Sequence, residues 1–255
     1  VSLPPRQRAL VHVIAALWGL VWLGGLDRVE LGFTSLQLGP LGWFVGTLGI
    51  VWMINLYNFM DGIDGLAASE AVAVAVTAGL FLHMSGLAGL AELALVLAAV
   101  ILGFLVWNWP PAKIFMGDVA SGFLGYLFAI MAISSEVQGG PPIVAWLLLL
   151  GVFVVDATAT LFLRMWRREP LHQAHKSHAY QRATQVGYSH KQVTLAVCGM
   201  NAFLALIALV AMKFEVITVP VCIAAYAVLL LIWRRFAIGS LLSSVSRSSP
   251  HGRAI

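Results

Sequence analysis

From Ala88 to Trp107 the chain is almost unbroken in apolar residues, and Glu92 is its single charged side chain. A helix needs about 20 such residues to cross the hydrocarbon layer of a membrane. Seven more runs of this kind follow the hydropathy, at roughly 9–26, 39–57, 66–84, 120–135, 143–165, 193–212 and 216–234. Turn-forming residues separate them: Gly39-Pro40, Gly62 with Gly65, Pro110-Pro111 and Gly139-Gly140-Pro141-Pro142. Only 10% of the 255 residues are charged and 60% are hydrophobic, whereas soluble domains carry about 25% charged residues. The apolar residues do not alternate with polar ones, which excludes a closed barrel and leaves helices. The expected fold is therefore all-α: a polytopic membrane protein of about eight transmembrane helices with its active site on cytoplasmic loops. One helical domain is expected over 1–238, with a Ser-rich, disordered cytoplasmic tail over 239–255. Cys198 and Cys222 fall in separate apolar runs near opposite membrane faces, so neither a disulfide nor a zinc cluster is expected. The first residues lack the order of a cleavable signal peptide.

Eight spans assign the connecting segments to two sides. One side holds thirteen Lys and Arg residues; the other holds Arg28 and Lys213. By the positive-inside rule the first side is cytoplasmic. It also collects Asn55, Asn58, Asp61, Asp64, Asn108, Asp118, Asp156, His172, His175 and His178.

Three polar constellations lie on that side. In Asn55-Leu56-Tyr57-Asn58-Phe59-Met60-Asp61-Gly62-Ile63-Asp64-Gly65, polar residues recur every three positions, on one slowly drifting face of a helix. Carboxylates and amides at a membrane boundary need a cation, a basic side chain or water. Capping of the third span by Asp64 accounts for that residue but not for the other three. In the second, Asn108-Trp109-Pro110-Pro111-Ala112-Lys113 through Gly117-Asp118, the prolines end one span and Asp118 stands before the next. Exposed N–H groups at a helix start can receive a phosphate, and Mg²⁺ commonly uses one or two carboxylates plus phosphate oxygens. The plain alternative is an N-capping Asp118 with Lys113 reaching the interface. The third is basic, with Arg167-Arg168 followed by His172, His175, Lys176 and His178. Those side chains suit a diphosphate better than zinc, although a basic segment at a membrane also binds anionic lipid. Asp156 lies inside the sixth run, where a carboxylate either serves function or pairs with a buried donor. Glu70, one turn into the third run, remains unassigned.

Together these stretches resemble the polyprenyl-phosphate N-acetylhexosaminyl-1-phosphate transferases. The resemblance rests on Asn58-Phe59-Met60-Asp61-Gly62-Ile63-Asp64-Gly65, Pro111-Ala112-Lys113-Ile114-Phe115-Met116-Gly117-Asp118 and Ala174-His175-Lys176-Ser177-His178-Ala179-Tyr180-Gln181, in that order. The last stretch looks most like the branch that starts O-antigen. Ala120 stands where the family usually has Gly, and the chain contains no adjacent Asp-Asp pair. The family carries that pair beside the lipid phosphate, after about three further spans, so an upstream segment bearing both is expected.

The resemblance implies transfer of an N-acetylhexosamine-1-phosphate from a UDP-sugar to polyprenyl (undecaprenyl) phosphate, with release of UMP, in a bacterial inner membrane. It implies Asp61, Asp64 and Asp118 as catalytic residues, with Asp118 and Asp61 holding Mg²⁺ or alternatively Mn²⁺. Asn55, Asn58, Lys113, Asp156, His175, Lys176 and His178 would bind substrate. The partners are the UDP-sugar, the polyprenyl lipid and the membrane, with no nucleic acid; a homodimer is compatible. A secondary transporter with inner-side carboxylates, or an inactive relic of the transferase, are the alternatives, and the first fits poorly with carboxylates gathered at one face.

Overall fold

The computed structural model describes residues 4–170, 175–214 and 217–237. Among them are ten helices and one short hairpin. Helix α1 (Pro5–Leu23) is followed by strands β1 (Arg28–Glu30) and β2 (Ser35–Gln37), which pair antiparallel with Val29 opposite Leu36. Then come α2 (Leu41–Met60), α3 (Leu66–Met84), α4 (Ala88–Asn108), α5 (Gly117–Val137), α6 (Ile143–Leu149) and α7 (Gly151–Trp166). A short α8 (Ala179–Gln185) precedes α9 (His190–Lys213) and α10 (Thr218–Ala237). The expected tail over 239–255 and His172 lie outside the described residues.

Six helices, α2, α3, α4, α5, α9 and α10, are long and apolar enough to cross a membrane. The all-α multi-pass membrane architecture expected from hydropathy is thus present, with three corrections. The run 143–165 is not one straight span: α6 and α7 meet at an angle of 83°. Gly151 stands at the break, and Leu229 and Leu204 of two later helices pack into the space a side chain would fill. Second, α1 is as long as α3, but Arg6, Arg8 and His12 in its first turns keep it out of the apolar set. Third, the hairpin at the far end was not expected; it is anchored where Glu136 at the end of α5 accepts the backbone N–H groups of Glu30 and Ile143, both at 2.6 Å.

Small residues set the tightest pairing. Ala67, Ala71, Ala75 and Ala78 of α3 and Ala91, Ala94 and Ala98 of α4 are buried. Their short side chains let two backbones approach inside a membrane, where no hydrophobic drive separates helix from lipid. The larger buried rings, Tyr57, Phe128 and Phe153, join α2, α5 and α7, with centroids 5.5 and 5.2 Å from Tyr57. The helix ends divide cleanly. Arg28, Glu30 and Lys213 line one end together with Ser85 and Gly139. The ends of α2, α4 and α7 and the starts of α3, α5 and α9 form the other, and carry the acidic and histidine segments.

Candidate active site

The two acidic turns meet at that second end. Helix α2 stops at Asp61, which sits at its C-cap. Helix α5 starts at Gly117, whose φ of 73° only glycine adopts without strain. That backbone turns the Gly117 N–H onto the Asp61 carboxylate and brings Asp118 beside it. Burial, opposed by the Gly117 hydrogen bond and reinforced by the charge of Asp118, pushes the Asp61 carboxyl up to about 6. Asp118 itself is exposed in the first turn of α5. Asn58, one turn before Asp61, donates to Ser121 Oγ at 3.1 Å, a second tie between α2 and α5.

Asp64 is not the N-cap of α3; the left-handed Gly65 takes that position. The Asp64 carboxylate is occupied elsewhere. Its Oδ2 accepts the Ala112 N–H at 3.1 Å, and its Oδ1 lies 3.2 Å from His190 Nδ1. Asn108 fastens the same two turns: its Oδ1 accepts the Gly65 N–H at 3.0 Å, and its Nδ2 donates to the Ile114 carbonyl at 2.8 Å. Asp118 likewise does not cap α5, where Met116 is the N-cap and no side chain closes the first turn. The N–H groups after Gly117 in that turn are left available to an anion.

The histidine segment closes over the turn from a different helix. Asp156 of α7 accepts the N–H groups of Ala179 and Tyr180, and its Oδ1 stands 3.4 Å from His178 Nδ1. It therefore adds to the cap at the start of α8, where Gln181 Oε1 also accepts the His178 N–H at 3.3 Å. His178 is buried, with Phe59 and Tyr180 rings at 6.1 and 5.7 Å and the His175 ring at 5.0 Å. Tyr180 Oη donates to the Phe59 carbonyl at 2.9 Å, and its hydroxyl overlies Gly62 where any Cβ would collide. Burial, then the charges of Asp156 and Asp61, hold the Tyr180 hydroxyl protonated well above its ordinary range. Burial, with His178 and Arg164 nearby, pushes His175 down to about 4, so its imidazole is neutral near pH 7. Arg164 is buried, paired with Glu169 at 3.0 Å and donating to the Pro170 carbonyl at 2.7 Å.

The remaining expected residues are more scattered. Lys113 is exposed with its Nζ 5.2 Å above the Trp107 ring, and Lys176 is exposed beside His175. Asn55 turns away from the carboxylates, donating to Val51 at 2.7 Å and lying 3.4 Å from His12 Nδ1 of α1. Tyr180, Ser121 and His190 belong to the site and were not among the expected residues. Tyr180 and Ser121 stand inside or beside the motifs, but their partners are distant in sequence. Among the described residues no three His, Cys, Asp or Glu side chains converge as a metal site. Asp61 and Asp118 nevertheless fit a divalent cation in part: burial, with the charge of Asp118 added, raises Asp61, and the exposed Asp118 leaves room for water and phosphate ligands.

A model of glycosyl transferase family 4 matches residues 1–136, which include both acidic turns. The chain belongs to this family. Among its relatives, a probable undecaprenyl-phosphate N-acetylglucosaminyl 1-phosphate transferase of Bacillus subtilis is 35% identical over 162 residues, covering 62% of this chain and 45% of the relative. A phospho-N-acetylmuramoyl-pentapeptide-transferase of Streptococcus thermophilus is 32% identical over 168 residues, 64% of this chain and 47% of the relative. The enzyme of that name from Halalkalibacterium halodurans is 31% identical over 226 residues, 82% of this chain and 64% of the relative. The chain thus spans about half the length of the first curated relatives it matches. In this family 4 chain the matched region supplies α1 to α5, and the histidine segment that folds back onto Asp61 follows it.

Proposed function

We propose that this chain forms the sugar-nucleotide site of a membrane transferase. The reaction moves an N-acetylhexosamine-1-phosphate from a UDP-sugar onto polyprenyl phosphate and begins a lipid-linked glycan of the cell envelope. The observation that carries the reading is the meeting of Asp61 and Asp118 beneath the His175–His178–Tyr180 stack. It places carboxylates suited to a cation next to neutral and basic groups suited to a diphosphate. The names of the Bacillus and Streptococcus relatives support the substrate class.

In the proposed reaction an oxygen of the lipid phosphate attacks the β-phosphorus of the UDP-sugar. The bond from that phosphorus to the bridging oxygen breaks, and UMP leaves with the electron pair. The task is to bring two anions together. Asp61 and Asp118 would hold magnesium, which when bound neutralises diphosphate charge. The open first turn of α5 offers N–H groups to a phosphate oxygen, with Lys113 adding positive charge. His175, held neutral, and His178 donate ring N–H hydrogen bonds to the diphosphate or sugar, with Lys176 at the rim. Asp156 acts by fixing the start of α8, and Asp64 by fixing the two acidic turns. Asn58 steadies α2 against α5, while Asn55 supports the wall toward α1. An apolar groove between α2, α5, α6 and α7, bounded by Gly46, Gly49, Trp52, Ala129, Trp146 and Leu150, suits a polyprenyl tail. Eleven described Lys and Arg residues near the site end, against Arg28 and Lys213 at the other, favour a cytoplasmic active face in a bacterial inner membrane.

The test is UMP release by the protein purified from its whole reading frame, given UDP-N-acetylglucosamine, a polyprenyl phosphate and Mg²⁺. Release that needs all three is expected, with the lipid product carrying the sugar. No UMP from any UDP-N-acetylhexosamine under these conditions would overturn the reading.

A further inference from the structure

Between its first turn and its terminal Lys213, α9 is an apolar helix with three polar interruptions, Thr194, Cys198 and Asn201. With His190 they are spaced four, four and three residues apart and share one helix face. That face lies along the first half of α3. His190 Nδ1 stands 3.2 Å from Asp64 Oδ1 and 3.5 Å from the Asp64 backbone N. Thr194 Oγ1 donates to the Asp64 carbonyl at 2.9 Å. Cys198 lies beside Ser69 of α3. Deepest of all, Asn201 Nδ2 donates to Glu70 Oε2, between two buried side chains. A polar seam therefore runs from the acidic turn into the middle of the bundle.

A carboxyl group inside an apolar span is costly and calls for a reason. Packing supplies none, because the residues one turn from Glu70 on α3, Leu66, Ala67, Ala73 and Val74, are apolar and need no polar partner. The contact it makes is directional and fixes which residue of α9 faces α3. A slip of α9 by one residue rotates its side chains by about 100°, which would carry His190 away from Asp64. The start of α9 is fixed separately, since Ser189 and Gln192 form a reciprocal capping box around it. His190 thus reaches Asp64 from a helix held at both levels. Asp64 in turn holds the Ala112 N–H, so His190 bears on both acidic turns.

We propose that His190 is a positioning residue of the transferase site, and that the Glu70–Asn201 contact sets the register of α9 that delivers it to Asp64. The inference rests on the transferase reading above. Either tautomer performs the role. A proton on Nδ1 is donated to Oδ1, and a bare Nδ1 accepts the Asp64 N–H. An asparagine places an amide near the position of Nδ1, whereas an alanine places nothing there.

The experiment compares kcat and KM for UDP-N-acetylglucosamine and polyprenyl phosphate in four proteins: wild type, His190→Ala, His190→Asn and Glu70→Leu/Asn201→Leu. The paired leucine replacement removes both buried polar partners together, which protects the fold. His190→Ala is expected to lower kcat about tenfold or more, with KM for the lipid within about twofold. His190→Asn should recover to within about threefold of wild type. The leucine pair should keep its melting temperature yet lose kcat, and adding His190→Ala to it should cause little further loss, since both act through Asp64. Unchanged kcat in His190→Ala, or equal losses in the alanine and asparagine proteins, would overturn the proposal. So would an active leucine pair with wild-type kcat. A wild-type protein that releases no UMP sinks the transferase reading and this inference together; an active wild type with a normal His190→Ala sinks this inference alone.

Discussion

Asp156 of α7 accepts two backbone hydrogen bonds from the first turn of α8, from Ala179 at 2.8 Å and Tyr180 at 3.2 Å. A carboxylate serves both donors at once, while an amide has one oxygen to offer. Asp156→Asn should strand one buried N–H, costing about 1–3 kcal/mol. We expect a lower melting temperature and a several-fold higher KM for the UDP-sugar, because His178 loses its fixed approach. Thermal melts and initial rates check this, and wild-type values for both would refute it.

Gly62 leaves the room that Tyr180 occupies. A methyl group there meets the phenol hydroxyl first and the ring next, so Gly62→Ala should cost about 1–3 kcal/mol through overpacking. It should also break the Tyr180–Phe59 hydrogen bond and lower turnover more than tenfold. Deleting the hydroxyl removes the nearest obstacle. The double change Gly62→Ala/Tyr180→Phe should therefore be more active than Gly62→Ala alone, and a fully additive loss would contradict the contact.

Asp61 gives a pH signature. Its carboxyl rises from 3.8 to about 6 in the folded chain, so the fold binds a proton more tightly than the unfolded chain does. This contribution to stability is complete below about pH 4 and is lost as pH rises through 6. Without divalent ions, Asp61→Asn should be more stable than wild type at pH 8, by roughly 1 kcal/mol after allowance for partial exposure. The advantage should vanish near pH 4. Mg²⁺ should raise the wild-type melting temperature at pH 8 and leave that of Asp61→Asn nearly unmoved; equal responses would argue against a cation at this carboxylate.

Asp118 is exposed and caps nothing, so its substitution tests chemistry with little disturbance of the fold. Asp118→Asn should keep its stability within about 0.5 kcal/mol of wild type, read from thermal melts. UMP release should fall by about 10³-fold, the scale for losing a charged group that acts on the reacting phosphates. Near-normal turnover would remove Asp118 from the site.

His175→Ala and His178→Ala should weaken UDP-sugar binding more than lipid binding, with the larger stability loss at the buried His178. Isothermal titration with UMP and with the UDP-sugar separates the two substrates. Stoichiometric zinc, with chelator inhibition that Mg²⁺ does not reverse, would replace the phosphate reading.

Hydropathy reports how apolar a segment is, not which way it points. It located α2, α3, α4, α5, α9 and α10, and it could not register the 83° break between α6 and α7. The hairpin at Arg28–Glu30 and Ser35–Gln37 escaped because its anchor, Glu136, is far away in sequence. Asp61 and Asp118 were legible because carboxylates at the ends of apolar runs have few structural uses. Their neighbours were less so. Asp64 is named with them as catalytic, with N-capping as the plain alternative; Gly65 takes the cap position, and the Asp64 carboxylate turns to Ala112 and His190. Nothing in the sequence marks the roles of Tyr180 and Asn201, since their partners Phe59 and Glu70 lie more than a hundred positions away.

Asn108 joins the turn before α3 to the loop after α4 through one amide group. The hairpin made by α3 and α4 begins and ends at this clasp. A tilt of its far half, the common response of spans to bilayer thickness, therefore pivots about the clasp and leaves the spacing of the carboxylates in place. Adaptation to the lipid and constancy of the chemistry are thus assigned to opposite ends of the same two helices.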